Sequence, residues 1–232
     1  MSMYFDENSY AYNYALGLPA TDPYCAMWLR REAHTTALDG HFSIFANADN
    51  RVSIRYEVST ELRLFTERLT IVAQNDVSIS PLTGIGQWLF LEIEYDKFLL
   101  DYILTVNRTT ELTVGNSAIG ATPDFSSLHL NARSSSTANA KTYFGGVAIL
   151  DGIPTDSQRD IAYSGGVPAS TWHSVYDAAD RVALYEFTNA SSMLNDSWGS
   201  KHLTNSGGVY VADTPFAKGG RLDLQLMHQH DY

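Results

Sequence analysis

Period-two alternation marks the middle of this chain. From Trp88 to Tyr95 the sequence reads W-L-F-L-E-I-E-Y. Leu89, Leu91, Ile93 and Tyr95 fall on one face, and Phe90, Glu92, Glu94 and Asp96 fall on the other. That is the pattern of a strand with one apolar side and one mostly polar side. Leu100, Tyr102, Leu104 and Val106 then alternate with Asp101, Ile103, Thr105 and Asn107. Two such runs this close predict an antiparallel hairpin. Further strands are expected at Tyr24–Arg30, His41–Asn47, Val52–Val58, Leu69–Gln74, Leu112–Val114, Leu128–Ala132, Tyr143–Leu150 and Val182–Phe187. Asn47-Ala48-Asp49-Asn50 is turn chemistry between two of them. One helix interrupts the series. Thr155-Asp156-Ser157-Gln158 spells a capping box behind Pro154, and the helix is expected to reach about Tyr163 and stop at Ser164-Gly165-Gly166. Short strands at regular spacing predict a sandwich or barrel.

Composition narrows the function more than the fold. The 232 residues suit one large β-sandwich. A formal net charge of −11 repels phosphate backbones, so nucleic acid is not an expected partner. No stretch reaches the roughly 20 apolar residues needed to cross a membrane as a helix. The first twenty residues lack a basic start and an apolar run, so they do not read as a signal peptide. Cys25 is the single cysteine, which rules out an intrachain disulfide and suits folding in a cytoplasm.

Several short motifs, in order, resemble the laminin-G-like, concanavalin-A-like jelly roll. Met3-Tyr4-Phe5-Asp6 to Tyr10 resembles its opening strand. Cys25 to Arg30, Gly86 to Leu91, Leu104 to Asn107, Leu128 to Arg133 and Phe144 to Leu150 resemble successive later strands. Arg108 replaces the glycine that follows the hairpin asparagine in that family. Ala148 and Ile149 replace an acidic pair that helps to build a calcium site in some relatives, which counts against calcium, and no cofactor is expected. The stretch Arg181–Thr204, RVALYEFTNASSMLNDSWGSKHLT, resembles a signature that usually opens the fold, yet it stands near the other end of the chain. The resemblance therefore implies an all-β, antiparallel two-sheet β-sandwich with one short helix near 155–163. Residues 1–166 form the sandwich, and 167–232 form a C-terminal extension whose strand at 182–187 completes the sandwich or docks to a partner.

The order of motifs after Gly166 is similar to virion proteins of tailed phages. It implies a non-catalytic structural or decoration protein, folded in a host cytoplasm and then attached to a capsid or tail, with a homo-oligomer as a further option. The alternative is a carbohydrate-binding module that recognises a surface glycan. Trp172 and Trp198 stand in loop-like sequence, and Tyr10 and Tyr12 sit at even spacing on a tyrosine-rich N-terminal strand. These four are the expected partner or glycan contacts. A glycoside hydrolase is the least favoured reading. Glu92, Glu94 and Asp96 share one strand face, and glycosidic hydrolysis uses two carboxyls, but the face reads as the solvated side of a sheet. The seven histidines form no metal-binding pattern. His228 and His230 could hold a metal only weakly, so no metal site is expected.

Overall fold

The computed structural model describes residues 2–6, 8–18, 22–34, 38–47, 50–57, 61–68, 71–78, 86–96, 98–99, 101–115, 125–132, 140–164, 169–191 and 193–211. Gly165, Gly166 and the tail that holds His228 and His230 lie outside them. The described residues form two antiparallel sheets that enclose one core, with a single α-helix on the outside.

The strands are β1 (Ser2–Phe5), β2 (Tyr10–Asn13), β3 (Pro23–His34), β4 (Leu38–Asn47), β5 (Asn50–Glu57), β6 (Glu61–Arg68), β7 (Ile71–Ser78), β8 (Trp88–Asp96), β9 (Asp101–Val106), β10 (Thr110–Gly115), β11 (Ser127–Leu130), β12 (Ala140–Asp151), β13 (Arg181–Tyr185), β14 (Thr204–Ser206) and β15 (Val209–Val211). The first sheet runs β10-β9-β8-β3-β12-β1-β15, with β13 also paired to β12. The second runs β14-β2-β11-β4-β5-β6-β7. The expected hairpin is present, as β8 and β9 pair from Leu91–Val106 to Asp96–Asp101. β6 was not expected. Its sequence, E-L-R-L-F-T-E-R, is rich in residues that also favour helices, and the alternation in it is brief.

The alternation decides which side chains meet between the sheets. Cys25, Met27 and Leu29 of β3, Leu89, Leu91 and Ile93 of β8, and Leu128 and Leu130 of β11 all lie in the common core. Burying such side chains is worth roughly 1.5–3 kcal/mol each. In β12, Phe144 and Val147 both face this core although they are three residues apart. The register against β3 shifts between Phe144 and Gly146, so a bulge absorbs the odd residue.

The chain beyond residue 166 enters this sandwich at three places. β13 pairs with β12 at Val147–Leu150, beside the stretch of β12 that holds β1 at Thr142–Phe144. β14 pairs with β2 in the second sheet, and β15 pairs with β1 in the first. The turn Gly207-Gly208 therefore carries the chain from one sheet to the other. Gly207 has φ +90, and a Cβ on Gly208 would meet the Phe5 ring at 2.5 Å, so neither position suits another residue. β13 and β15 are thus strands of the first sheet and β14 a strand of the second.

Candidate ligand-binding site

The outer faces of the two sheets differ, and the sequence-expected contact residues divide between them. The helix α1 (Asp156–Tyr163) and the 3₁₀ turn Ala169–Ser174 cover the outer face of the first sheet. The capping box forms as expected: Thr155 Oγ1 accepts from Gln158 N, and Gln158 Oε1 accepts from Thr155 N. Beneath this layer Tyr24, Ala26, Trp28, Phe90, Leu150, Ala162, Trp172, Tyr176 and Leu184 make a second apolar cluster. Trp172 is fully buried there, so it offers no surface to a partner or glycan. Its loop-like sequence gave no sign of this, because the residues that cover it come from distant strands. Trp198 is half-buried against the same cluster. Its ring meets His173 and Tyr176 edge-on, and the Arg181 guanidinium lies 5.5 Å from its centroid.

The Glu92–Glu94–Asp96 face is not solvated at Glu92, which is fully buried. Its Oε1 accepts from the Tyr24 hydroxyl at 2.5 Å and from Arg159 Nε at 2.8 Å, and its Oε2 takes Arg108 Nη1 at 3.3 Å. Arg159 also reaches Glu94 at 2.8 Å. Arg108 and its neighbour Asn107 both have positive φ, 60° and 51°, in the turn after β9. The strain at Arg108 is offset by what its side chain gains. Asp156 and Asp160, one helical turn apart, each accept from its guanidinium at 3.0 Å. Burial works against the Arg108 charge, but Asp160, Glu92 and Asp156 outweigh it and raise its pKa. Arg108 is therefore a clamp that ties the β9–β10 turn, β8 and α1 together.

The second sheet presents tyrosines to the outside instead. Ala11 of β2 points into the core, which turns Tyr10 and Tyr12 outward. Tyr14 follows just past the strand and is 55% exposed. The rings form a ladder, with centroids 5.8 Å apart from Tyr10 to Tyr12 and 4.6 Å from Tyr12 to Tyr14. His129 pairs with Tyr12 across β11, and its ring lies 6.0 Å from Tyr12 and 5.5 Å from Tyr14. Burial pushes the His129 pKa down to about 4, so the ring is neutral at pH 7. Burial also raises the Tyr14 pKa, helped by the neighbouring Tyr12 and Tyr10.

The loop Asp196–Leu203 forms the other wall. It is the D-S-W-G-S-K-H-L part of the signature, and Asp196 shapes it. Its Oδ1 accepts from Leu184 N at 2.9 Å and Trp198 N at 3.0 Å, and its Oδ2 from Lys201 N at 3.1 Å. His202 Nδ1 accepts from Asp196 N at 3.1 Å. Two further bonds fix the loop to its surroundings: Tyr185 donates to Lys201 O at 2.7 Å, and Asn13 Nδ2 donates to His202 O at 2.9 Å. Between this loop and the ladder runs a groove of about 470 Å³, lined by Tyr12, Asn13, Tyr14, Ala15, Ser200, Lys201, His202 and Thr204. That volume is within the ordinary range for small-ligand sites, roughly 300–1,000 Å³. Lys201 makes no ion pair among the described residues, so its ammonium is available to the groove.

Of the four expected contacts, Tyr10 and Tyr12 stand together on this open face, while Trp172 and Trp198 lie together under or beside the cover of the other sheet. Tyr14 continues the even spacing of Tyr10 and Tyr12. Lys201, His202 and Thr204 could be read as a signature but not as neighbours of the tyrosines. Ala148 and Ile149 are both fully buried. Among the described residues no three His, Cys, Asp or Glu side chains are grouped to hold a metal ion, and no helix is long and apolar enough to cross a membrane.

No family model matches this sequence, and none of the curated proteins matches it. Solved structures do match by shape. A SAP-like pentraxin from Limulus polyphemus covers 88% of this chain and 88% of its own, with 11% identity and a TM-score of 0.55. The CBM40 of Ruminococcus gnavus IT-sialidase, bound to α2,6-sialyllactose, covers 71% of this chain and 96% of its own, with 12% identity and a TM-score of 0.51. Domains LG4-5 of the mouse laminin α1 chain align over 64% of this chain and 42% of theirs, with 11% identity and a TM-score of 0.46, so this chain spans less than half of that structure. The fold is an all-β, two-sheet antiparallel sandwich of the jelly-roll, concanavalin-A-like kind.

Proposed function

We propose that this chain is a non-catalytic carbohydrate-binding module whose ligand site is the groove beside Tyr10, Tyr12 and Tyr14. The single observation that carries the reading is the tyrosine ladder. It leaves Tyr14 more than half exposed and lines a groove with hydroxyl, imidazole and ammonium groups from a braced loop. Sugar rings offer apolar C–H faces and polar rims, and such a site answers both with aromatic surface and a few placed polar groups. A neighbour of the same fold is bound to sialyllactose, which supports a sugar ligand for the fold without locating it here. The pairing of Glu92 with Tyr24, Arg159 and Arg108 supports the non-catalytic part. A general acid or nucleophile needs a carboxyl free to face substrate, and this one is spent on holding α1.

Screening the chain on a glycan array tests the proposal. Binding to a subset of glycans, lost in Tyr12→Ala, is expected. A silent array, or binding that Tyr12→Ala leaves intact, would sink it. The order of motifs after Gly166 supports a second reading, in which the module belongs to a phage particle and attaches to its capsid or tail. Copurification with particles at a fixed integer ratio is the outcome that reading requires, and presence only in soluble lysate would overturn it. The two readings are compatible, since an adsorption module can be part of a particle.

A further inference from the structure

Two side chains of the groove beside the tyrosines present only hydrogen-bond donors to it, and one short stretch of backbone positions both. Lys201 N donates to Asp196 Oδ2 at 3.1 Å, and Lys201 O accepts from the Tyr185 hydroxyl at 2.7 Å. His202 O accepts from Asn13 Nδ2 at 2.9 Å. The peptide groups on both sides of Lys201 are therefore tied, which sets where its side chain leaves the loop. The Lys201 ammonium makes no hydrogen bond or ion pair among the described residues, and the residue lines the groove. The ring of His202 is oriented as well. Its Nδ1 accepts from Asp196 N at 3.1 Å, which assigns the ring proton to Nε2. Nε2–H has no acceptor among the described residues, and His202 is exposed and lines the same groove.

We propose that the sugar bound in this groove carries an anionic group, a carboxylate or a sulfate ester, and that Lys201 and His202 recognise it. The inference rests on the carbohydrate reading of the groove and narrows its ligand. An ammonium has three donors and no acceptor, and Nε2–H adds one more donor. A sugar hydroxyl can accept from such groups, but its own hydrogen then needs an acceptor. A carboxylate or sulfate only accepts, so it matches them fully. A sugar lying on Tyr12 and Tyr14 also removes water from the ammonium. A neutral ligand offsets that loss weakly, whereas an anion offsets it with charge-assisted hydrogen bonds. The net charge of −11 opposes an anion at long range. Salt screens that repulsion beyond roughly 8 Å at physiological ionic strength, so the two donors beside the ligand decide the preference. The loop is braced before any ligand arrives, so little ordering is lost on binding.

The test probes the full chain with an array of neutral, carboxylated and sulfated glycans. The bound set is expected to carry carboxylates or sulfates, and which of the two it carries identifies the source of the charge. Calorimetry then compares the strongest acidic glycan with its neutralised form, the methyl ester of a carboxylate or the desulfated parent of a sulfate. The neutralised form binds about tenfold more weakly. Lys201→Gln lowers the affinity for the acidic glycan by a similar factor and so abolishes the preference, and Lys201→Arg restores most of it. His202→Asn keeps an acceptor for Asp196 N and removes the Nε2 donor. It weakens the acidic glycan about threefold, at an unchanged unfolding midpoint. Tyr12→Ala weakens both forms alike. Binding confined to neutral glycans and lost in Tyr12→Ala overturns the anionic ligand and leaves the carbohydrate reading standing, whereas a silent array overturns both. A preference for the acidic form that survives Lys201→Gln unchanged also overturns the proposal.

Discussion

The two outer faces of this sandwich carry similar aromatic side chains and put them to opposite uses. On the first sheet, Trp28 and Phe90 lie under Tyr163 of α1 and Trp172 of the 3₁₀ turn, and a buried carboxylate and two arginines hold that helix down. On the second, Tyr10, Tyr12 and Tyr14 form an outward ladder, and its Tyr12 and Tyr14 line a groove. What separates them is the ionic clamp rather than aromatic content. Where Arg108 and Arg159 can reach Glu92, aromatic surface becomes core. Where no segment is tied down, it remains available to a ligand.

That contrast can be broken from the closed side first. Trp172→Ala removes a fully buried indole from the cover and should cost about 4 kcal/mol in urea unfolding, in the range for large-to-small changes in a core. A cost below about 1 kcal/mol would mean that the cover is not a real core. Glu92→Gln strips the charge from the centre of the clamp and leaves two guanidinium groups poorly paired. A loss of about 3 kcal/mol is expected, with α1 exchanging its amide hydrogens faster than the sheets. Uniform exchange across the protein would contradict the clamp. On the open side, Asp196→Asn replaces an acceptor for three backbone N–H groups and turns an amide toward the Lys201 or Leu184 donors. It should cost about 2 kcal/mol and weaken ligand binding through the loop. Intact binding would show that the loop does not shape the groove.

His129 makes a pH-dependent difference between the faces, absent near neutral pH. Its folded-state pKa, about 4, lies below the value of an exposed histidine. Above pH 6.5 both folded and unfolded chains carry it neutral, and it costs nothing. As the pH falls below about 6.5 the unfolded chain takes up the proton first. Stability then declines by up to about 1.4 kcal/mol per pH unit until the folded pKa is reached. His129→Gln should remove that one-proton slope from a pH series of unfolding curves. If the slope is unchanged, the neutral ring is not what the ladder rests on.

The sequence conveyed the parts of this picture that depend on near neighbours. The alternation of Leu89, Leu91 and Ile93 gave the inward face of β8, and Thr155 with Gln158 gave the start of α1. Arg108 was visible as a departure from the resembled motif, but its purpose was not, because Asp156 and Asp160 are about fifty residues away. Distance in sequence also hid the burial of Glu92, whose partner Arg159 is 67 residues away, and of Trp172, whose ring packs on Phe90 of β8. Tyr10 and Tyr12 could be chosen by spacing alone. The loop that faces them could not, since Asn13 and His202 are 189 residues apart and only the β2–β14 pairing joins them.

Removing the ring of Tyr14 should barely change stability, within about 0.5 kcal/mol for an exposed position. It is therefore the cleanest probe of the open face. The most direct test compares Tyr14→Ala and Trp198→Ala on the same glycan panel, with both variants confirmed as folded. Loss of binding in Tyr14→Ala and retention in Trp198→Ala is the predicted result. Retention in Tyr14→Ala with loss in Trp198→Ala would place the ligand on the covered side and contradict the account.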